Sequence, residues 1–186
     1  DIPKMAREMG HSAVAITDHG VLYGAVAFYK ACMEEGVRPI IGCEVYVARR
    51  SMADREREYD SGSYHLILLC KNETGYKNLI YLVSKGFTDG FYGKPRIDLE
   101  LLSAHTEGLI ALSACLSGYI PRAILAGEYD KAEAHARQMA SLFGAGNYYL
   151  ELQSHGLPED PTVCEGLYRL SEKTGIPLVA TNDVHY

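Results

Sequence analysis

The sequence predicts an α/β fold built on repeated strand–helix units, and three observations carry that reading. Short β-rich apolar runs alternate with longer amphipathic ones along all 186 residues. Six such runs are separated by helix-like segments, which implies a parallel sheet or a barrel. No GxGxxG follows the first strand, so nothing supports a dinucleotide fold and a (β/α) barrel, complete or distorted, is preferred.

In order, the pattern begins with a helix near Ile2 to Met9, with Met5 and Met9 four apart on one face, followed by the buried strand Ser12 to Thr17. A helix from about Val21 to Glu35 is closed by Gly36, and Pro39 to Ala48 reads as the next strand. The rhythm repeats with strand His65 to Cys70, helix Glu73 to Lys85, strand Leu109 to Ser113 and helix Asp130 to Phe143. Strand Tyr148 to Leu152, helix Glu165 to Thr174 and strand Pro177 to Thr181 complete it. Two segments interrupt. Arg49 to Tyr59 has mixed charge and no apolar period, so it reads as a solvated excursion. Thr88 to Arg96 is rich in glycine, aromatic and basic residues.

With 47% hydrophobic and 23% charged residues the chain has the proportions of a globule with a real core. Eighteen Lys and Arg against 24 Asp and Glu give a formal charge of -6, which argues against a surface that tracks nucleic acid by charge alone. The five cysteines are widely spread and form no CxxC pair, so neither a disulfide framework nor a zinc ribbon is indicated and a reducing, cytoplasmic setting is expected. No apolar stretch suits a membrane span or a signal peptide. The start at Asp1, without Met and inside a helix-like segment, suggests a fragment.

In barrel folds the residues that end strands and open the following loops converge on one mouth. Here Asp18 and His19, Glu44, Cys115, Glu151, and Asp183 with His185 occupy those positions, so five of six strand ends carry Asp, Glu, His or Cys. Imidazole, carboxylate and thiolate all ligate divalent cations, and a mixed set can hold several ions that clamp a phosphate and activate water for in-line attack. Taken alone, Asp18 is as well explained as a cap on the helix after it. Asp183 and His185, two apart on an extended segment, point the same way. Glu44, in an apolar run, needs a cationic or metallic partner. Cys115 would by itself be a small buried hydrophobe, as the other four cysteines are read. His65 begins its strand, so a parallel count puts it at the opposite end from the rest. His11, His105 and His135 read as surface residues; His155, four residues after Glu151, reads as a loop histidine, with a contact to the cluster's neighbours or to substrate as the alternative.

The blocks AITDHG, GCEVYV, YHLILLCKN, SACLSG and TNDVHY resemble, in order and spacing, the successive motifs of the PHP (polymerase and histidinol phosphatase) family. GYKNLIYLVSKGF, FYGKPRID and GIPLVATNDVHY resemble the PHP domain of bacterial DNA polymerase III alpha subunits, and the likeness covers essentially the whole chain. It implies a distorted seven-stranded β/α barrel with a cluster of up to three divalent metal ions, zinc or manganese. Carried over by motif, the metal ligands are His19, Glu44, His65, Cys115, Asp183 and His185. This places His65 in the site, against the strand count, and the conflict is put down to where its strand starts. Asp18 and, similarly, Glu151 would be catalytic neighbours that orient or supplement the cluster, and Lys94 and Arg96 would contact substrate phosphate.

The family opens with a strand bearing His-x-His and an acidic ligand soon after, so residues 1–186 are expected to be a PHP domain lacking its first strand and its C-terminal end, with an incomplete site and little activity alone. The activity implied for the parent is that of a metal-dependent phosphoesterase in a DNA-replicating polymerase, with 3′-5′ exonuclease action. The expected partners are DNA, through the full-length polymerase, and other replicase subunits such as a proofreading exonuclease, with no membrane. Two rivals stand beside it: a non-catalytic scaffold that stabilises the polymerase and docks such an exonuclease, and a stand-alone phosphatase similar to histidinol phosphatase.

Overall fold

The structure, a computed structural model, describes residues 1–185. Helix α1 (Ile2–Glu8) starts with Pro3 in its first turn, where a missing amide hydrogen is not needed. Strand β1 (Ala13–Ile16), helix α2 (Ala25–Glu35) and strand β2 (Arg38–Ala48) form a βαβ unit. β1 and β2 run parallel, Ala13 opposite Arg38 and Ile16 opposite Ile41, and parallel neighbours need a crossover such as α2. Gly36 ends α2 at φ 69°, the left-handed conformation that glycine adopts without strain.

Next come helix α3 (Arg57–Asp60), strand β3 (Ser63–Cys70), helix α4 (Glu73–Thr88), strand β4 (Arg96–Ile97) and helix α5 (Leu99–Ser103). Strand β5 (Leu109–Leu112), helix α6 (Tyr119–Leu125), helix α7 (Tyr129–Phe143), strand β6 (Tyr148–Leu152), helix α8 (Asp160–Thr174) and strand β7 (Leu178–Ala180) complete the chain. The α/β class and the strand–helix rhythm are as expected. Seven strands are present among the described residues, one more than the apolar runs predict. β4 has two residues, too few to show a period. α3 and α5, of four and five residues, are also short, and α6 hides behind Pro121, a breaker signal that here sits in a first helical turn.

By their contacts the residues group into two units, residues 1–63 with 67–109, and 64–66 with those from 110 on. In the first, β4 pairs parallel with β2 through Tyr46 opposite Arg96 and Val47 opposite Ile97. Phe28 and Cys32 of α2, Leu79 and Leu82 of α4, Leu68 and Ile97 are buried in its core. Asn72 caps α4 by accepting the Gly75 amide at 3.0 Å. Gly75 itself lies against Gly108, whose carbonyl oxygen would be 1.8 Å from any Cβ there. In the second unit β5, β6 and β7 are parallel, with Ala111 opposite Tyr148 and Leu150 opposite Leu178. Ile120, Ala132, Ala136, Met139, Leu167 and Leu170 of α6, α7 and α8 are buried there with Leu150, each large apolar side chain contributing roughly 1.5–3 kcal/mol.

β3 departs from the expected parallel arrangement. Past its end, Lys71 N donates to Gly108 O, ahead of β5, at 2.8 Å; near its start, His65 N donates to Ser117 O, beyond β5, at 3.1 Å. β3 therefore runs opposite to β5. The chain doubles back after β5 through a turn closed by Gly118 N to Cys115 O at 2.8 Å, so the local bridge between His65 and Gly118 is itself parallel. The connection from β2 to β3, residues 49–62, holds one four-residue helix, α3.

The segment from Arg49 to Tyr59 is solvated, as its charges suggest, with none of its residues buried, but it is anchored at both ends of its charge pattern. Arg50 grips the buried Asp60 carboxylate through Nε at 3.0 Å and Nη2 at 2.7 Å. Its backbone carbonyls also receive a buried arginine, described below.

Candidate metal centre

In the first unit the TDHG motif prolongs the β1–β2 ladder beyond the end of β1. Glu44 N donates to Asp18 O at 3.0 Å and Gly20 N to Glu44 O at 2.8 Å. His19 bridges Glu44 in the parallel sense, keeping the 25-residue offset by which Ala13 faces Arg38. Backbone pairing thus sets the imidazole beside the carboxylate, and His19 Nδ1 lies 2.7 Å from Glu44 Oε1. The Glu44 side chain is 3% exposed and that of His19 46%, so the buried carboxylate has the partner that its apolar surroundings demand. Asp18 turns its carboxylate to the Gly24 amide at 2.9 Å, ahead of α2, whose N-cap is Gly24 and which has no side-chain cap. Cys43, on the other face of β2, is buried, donates to Asp18 O at 3.2 Å and has its thiol pushed up to about 12 by burial. It is a core cysteine, as expected.

Two residues beyond Glu44 on the same face of β2 stands Tyr46, and the Lys94 ammonium sits 4.2 Å from its ring centroid. Gly20, at φ 67°, makes this approach possible, because a Cβ would come within 2.9 Å of both Pro95 Cγ and the Tyr46 ring. Lys94 is exposed and lies near the His19–Glu44 pair through Tyr46. Arg96 is the opposite case and corrects an expectation. It is 1% exposed, and its guanidinium donates to Gly90 O (3.1 Å), Asp60 O (3.0 Å), Met52 O (3.0 Å) and Asp54 O (2.9 Å). Four of the five N–H donors of an arginine are held by backbone carbonyls, so Arg96 is a clamp on the 52–60 and 90 segments rather than a contact for phosphate.

In the second unit His65 Nδ1 and Cys115 Sγ are 3.6 Å apart. The reversed direction of β3 explains how a histidine at a strand start meets a cysteine beyond a strand end. The start of the strand was misjudged by only two residues, from His65 to Ser63; its direction was the missing information. Cys115 is aimed by an unusual backbone: Ala114 has φ 64°, a conformation that costs a side-chain-bearing residue energy. Its amide donates to Glu151 Oε2 at 3.0 Å, and Glu151 N donates to Ser113 Oγ at 2.8 Å. Glu151 Oε1 accepts from Gln153 Nε2 at 3.0 Å and from Thr181 Oγ1 at 2.5 Å. Burial raises the Glu151 carboxyl above the usual range, against these hydrogen bonds.

Beyond β7 the chain is not the extended segment that the spacing of Asp183 and His185 was read from. Asp183 has φ 45°, which breaks the two-residue alternation, and His185 Nδ1 lies 2.7 Å from the Asp183 carbonyl oxygen. His135 also departs from its surface reading: its ring stacks on Tyr119 with centroids 4.1 Å apart, and burial pulls its pKa down to about 4. His155 is a loop residue as expected, its amide held by Asp160 Oδ2 at 2.7 Å. Sequence reasoning missed Ser113, Gln153 and Thr181. Gln153 had a signal, since LELQ places it two residues from Glu151 on one face of the strand.

The donor sets suit a divalent cation. Zinc binds thiolate at about 2.3 Å and imidazole at about 2.0–2.1 Å, and a tetrahedral angle between them sets sulfur and nitrogen about 3.6 Å apart. The His65–Cys115 separation equals that edge. His19 and Glu44, 2.7 Å apart, would open by a few tenths of an ångström to share an ion, whose N and O ligands stand roughly 3.0–3.4 Å apart.

Comparison with known proteins places this geometry in a family. A family model described as the PHP domain matches residues 1–155. DNA polymerase III subunit alpha of Treponema pallidum is 52% identical over 184 residues, covering 98% of this chain and 16% of that protein. The Thermus aquaticus subunit is 51% identical over 176 residues, covering 94% and 14%, and the Borreliella burgdorferi subunit 46% identical, covering 100% and 16%. The chain thus spans about one-sixth of the length of these relatives. A crystal structure of a protein provisionally described as a metal-dependent phosphoesterase, from Bifidobacterium adolescentis, shares the fold at a TM-score of 0.55 and 14% identity, covering 99% of this chain and 82% of that one. Among the described residues no helix is long and apolar enough to cross a membrane. The likeness first read from the separated motifs holds, and the chain belongs to the PHP domain family.

Proposed function

We propose that this chain is the PHP domain of a bacterial replicative DNA polymerase III alpha subunit and carries a metal-dependent phosphoesterase site, acting in the full-length protein as a 3′-5′ exonuclease on DNA. The observation that carries the reading is the His65–Cys115 pair, held 3.6 Å apart, the spacing of two ligands on one zinc ion. The His19–Glu44 pair and the names of the relatives support it. The metal ligands are His19, Glu44, His65, Cys115, Asp183 and His185. Bound divalent ions, zinc or manganese, would supply Lewis acidity to a phosphoester and to the attacking water.

The chain's own residues do the rest. Glu44 supplies a buried negative charge that favours cations beside His19. Lys94, exposed and resting over Tyr46, offers a positive charge to a phosphate oxygen. Asp18 keeps the TDHG segment in register through its side-chain bond to Gly24 and its carbonyl bond from Glu44. The substrate and the partner subunits are reached through the full-length polymerase.

The test is metal analysis of the full-length protein combined with assays of 3′-end degradation and primer extension. Two or three ions per chain are expected, and His19→Ala or Asp183→Ala should abolish degradation and spare extension. Absence of bound metal after metal-replete purification would overturn the proposal and leave the scaffold.

A further inference from the structure

Ala114 and Asp183 are the only non-glycine residues with positive φ among the described residues, at 64° and 45°. Ala114 directly precedes Cys115, and Asp183 is itself a proposed ligand, so the two unusual backbone turns fall where strand exits present ligand atoms. Such turns persist only when their surroundings hold them. One side chain reaches both exits. Glu151 Oε2 takes the Ala114 amide at 3.0 Å, while Oε1 takes the Thr181 hydroxyl, two residues before Asp183. Gln153 Nε2 adds a third donor at 3.0 Å, and the Glu151 amide returns a bond to Ser113 Oγ at 2.8 Å. Glu151 is 5% exposed, and each carboxylate oxygen already has a donor from the protein, an arrangement suited to bracing rather than to binding substrate.

We infer that Glu151 is a positioning residue, a carboxylate latch that ties the turn presenting Cys115 to the segment presenting Asp183 and so sets where both offer their ligand atoms. This rests on the metal-binding reading above and gives Glu151 a role distinct from that of a ligand or of a group acting on substrate. Partners that orient ligands without touching the metal typically change its affinity 10- to 100-fold when removed.

The test uses the full-length protein loaded with Co(II), whose thiolate charge-transfer band in the near ultraviolet reports the bond to Cys115, with Cys115→Ser as the control that removes it. Glu151→Ala should weaken Co(II) binding by about 10- to 100-fold, diminish that band, and speed amide hydrogen exchange across residues 113–118 in the metal-free protein. Glu151→Gln, which keeps an acceptor for the Ala114 amide, should restore most of the affinity and the slow exchange. Wild-type affinity, band and exchange in Glu151→Ala would overturn the latch. Should that variant not fold, Thr181→Val cuts only the arm toward Asp183: weakened Co(II) binding upholds the latch, and unchanged binding overturns it. If the wild-type protein takes up no Co(II), the metal-binding reading fails instead, and unchanged exchange at 113–118 in Glu151→Ala or, where that variant does not fold, at 181–185 in Thr181→Val then sinks the latch as well.

Discussion

His19 Nδ1 stands 2.7 Å from Glu44 Oε1, and the carboxylate side chain it faces is 3% exposed. A pair this unequal in burial has an unequal response to mutation. Removing the imidazole takes a hydrogen-bond partner from a buried carboxylate, whereas neutralising the carboxylate lowers what its burial costs. His19→Ala should therefore lower stability by about 1–3 kcal/mol in urea unfolding at neutral pH. Adding Glu44→Gln in that background should recover part of the loss, while metal binding at this pair is lost in both. A double variant less stable than His19→Ala would contradict the argument.

Arg96 separates two roles cleanly. As a clamp donating to four backbone carbonyls while 1% exposed, it should be costly to remove: Arg96→Ala should destabilise by roughly 2–4 kcal/mol, since several buried acceptors lose their donors at once. Arg96→Lys should recover little, because an ammonium has only three donors and no fork geometry. A phosphate contact would behave otherwise, raising KM without touching the unfolding midpoint.

The His19–Glu44 pair and Arg96 mark the boundary of what could be read without a structure. The β/α rhythm was legible because apolar periodicity is local, and the candidates Asp18, His19, Cys115 and Glu151 stand out at or near the ends of the same runs, while Glu44, inside β2, stands out only as a carboxylate in an apolar run. The direction of β3 was not, since a strand's sequence is the same whichever way its neighbours run; only the family likeness groups His65 with the other proposed ligands. Arg96 looked like an anion contact because its acceptors are main-chain carbonyls from the 52–60 and 90 segments, which no side-chain pattern reveals. The left-handed turns at Ala114 and Asp183 were hidden for a related reason: they are imposed by contacts with Glu151 or by the end of β7 rather than by a glycine in the sequence.

Lys94 offers a test on the substrate side. Its ammonium rests 4.2 Å from the centroid of the Tyr46 ring, and its removal should disturb the fold little because the side chain is exposed. If it meets a phosphate in ground state and transition state alike, Lys94→Ala should raise KM for a phosphodiester roughly tenfold with kcat nearly unchanged. An unchanged KM would remove Lys94 from the substrate side.

His135 gives a pH prediction independent of any metal. Its ring is stacked on Tyr119, centroids 4.1 Å apart with planes 25° from parallel, and burial pulls its pKa from 6.5 down to about 4. The unfolded chain binds a proton at this residue below about pH 6.5, and the folded chain refuses it until about pH 4, so stability from this group is fully present above the unfolded value and is lost as pH falls across that window. The loss approaches roughly 2–3 kcal/mol at its lower end. Carboxylates held low by ion pairs, such as Asp60 beside Arg50, also lose stability on acidification, so the contribution of His135 has to be read as a difference. His135→Phe keeps an aromatic ring against Tyr119 and cannot take the proton. Its unfolding free energy relative to the wild-type chain should therefore rise steadily as urea titrations are moved from pH 7 to pH 4.5. A difference that stays constant across that range would show that the imidazole takes up its proton as readily in the folded protein as in the unfolded chain.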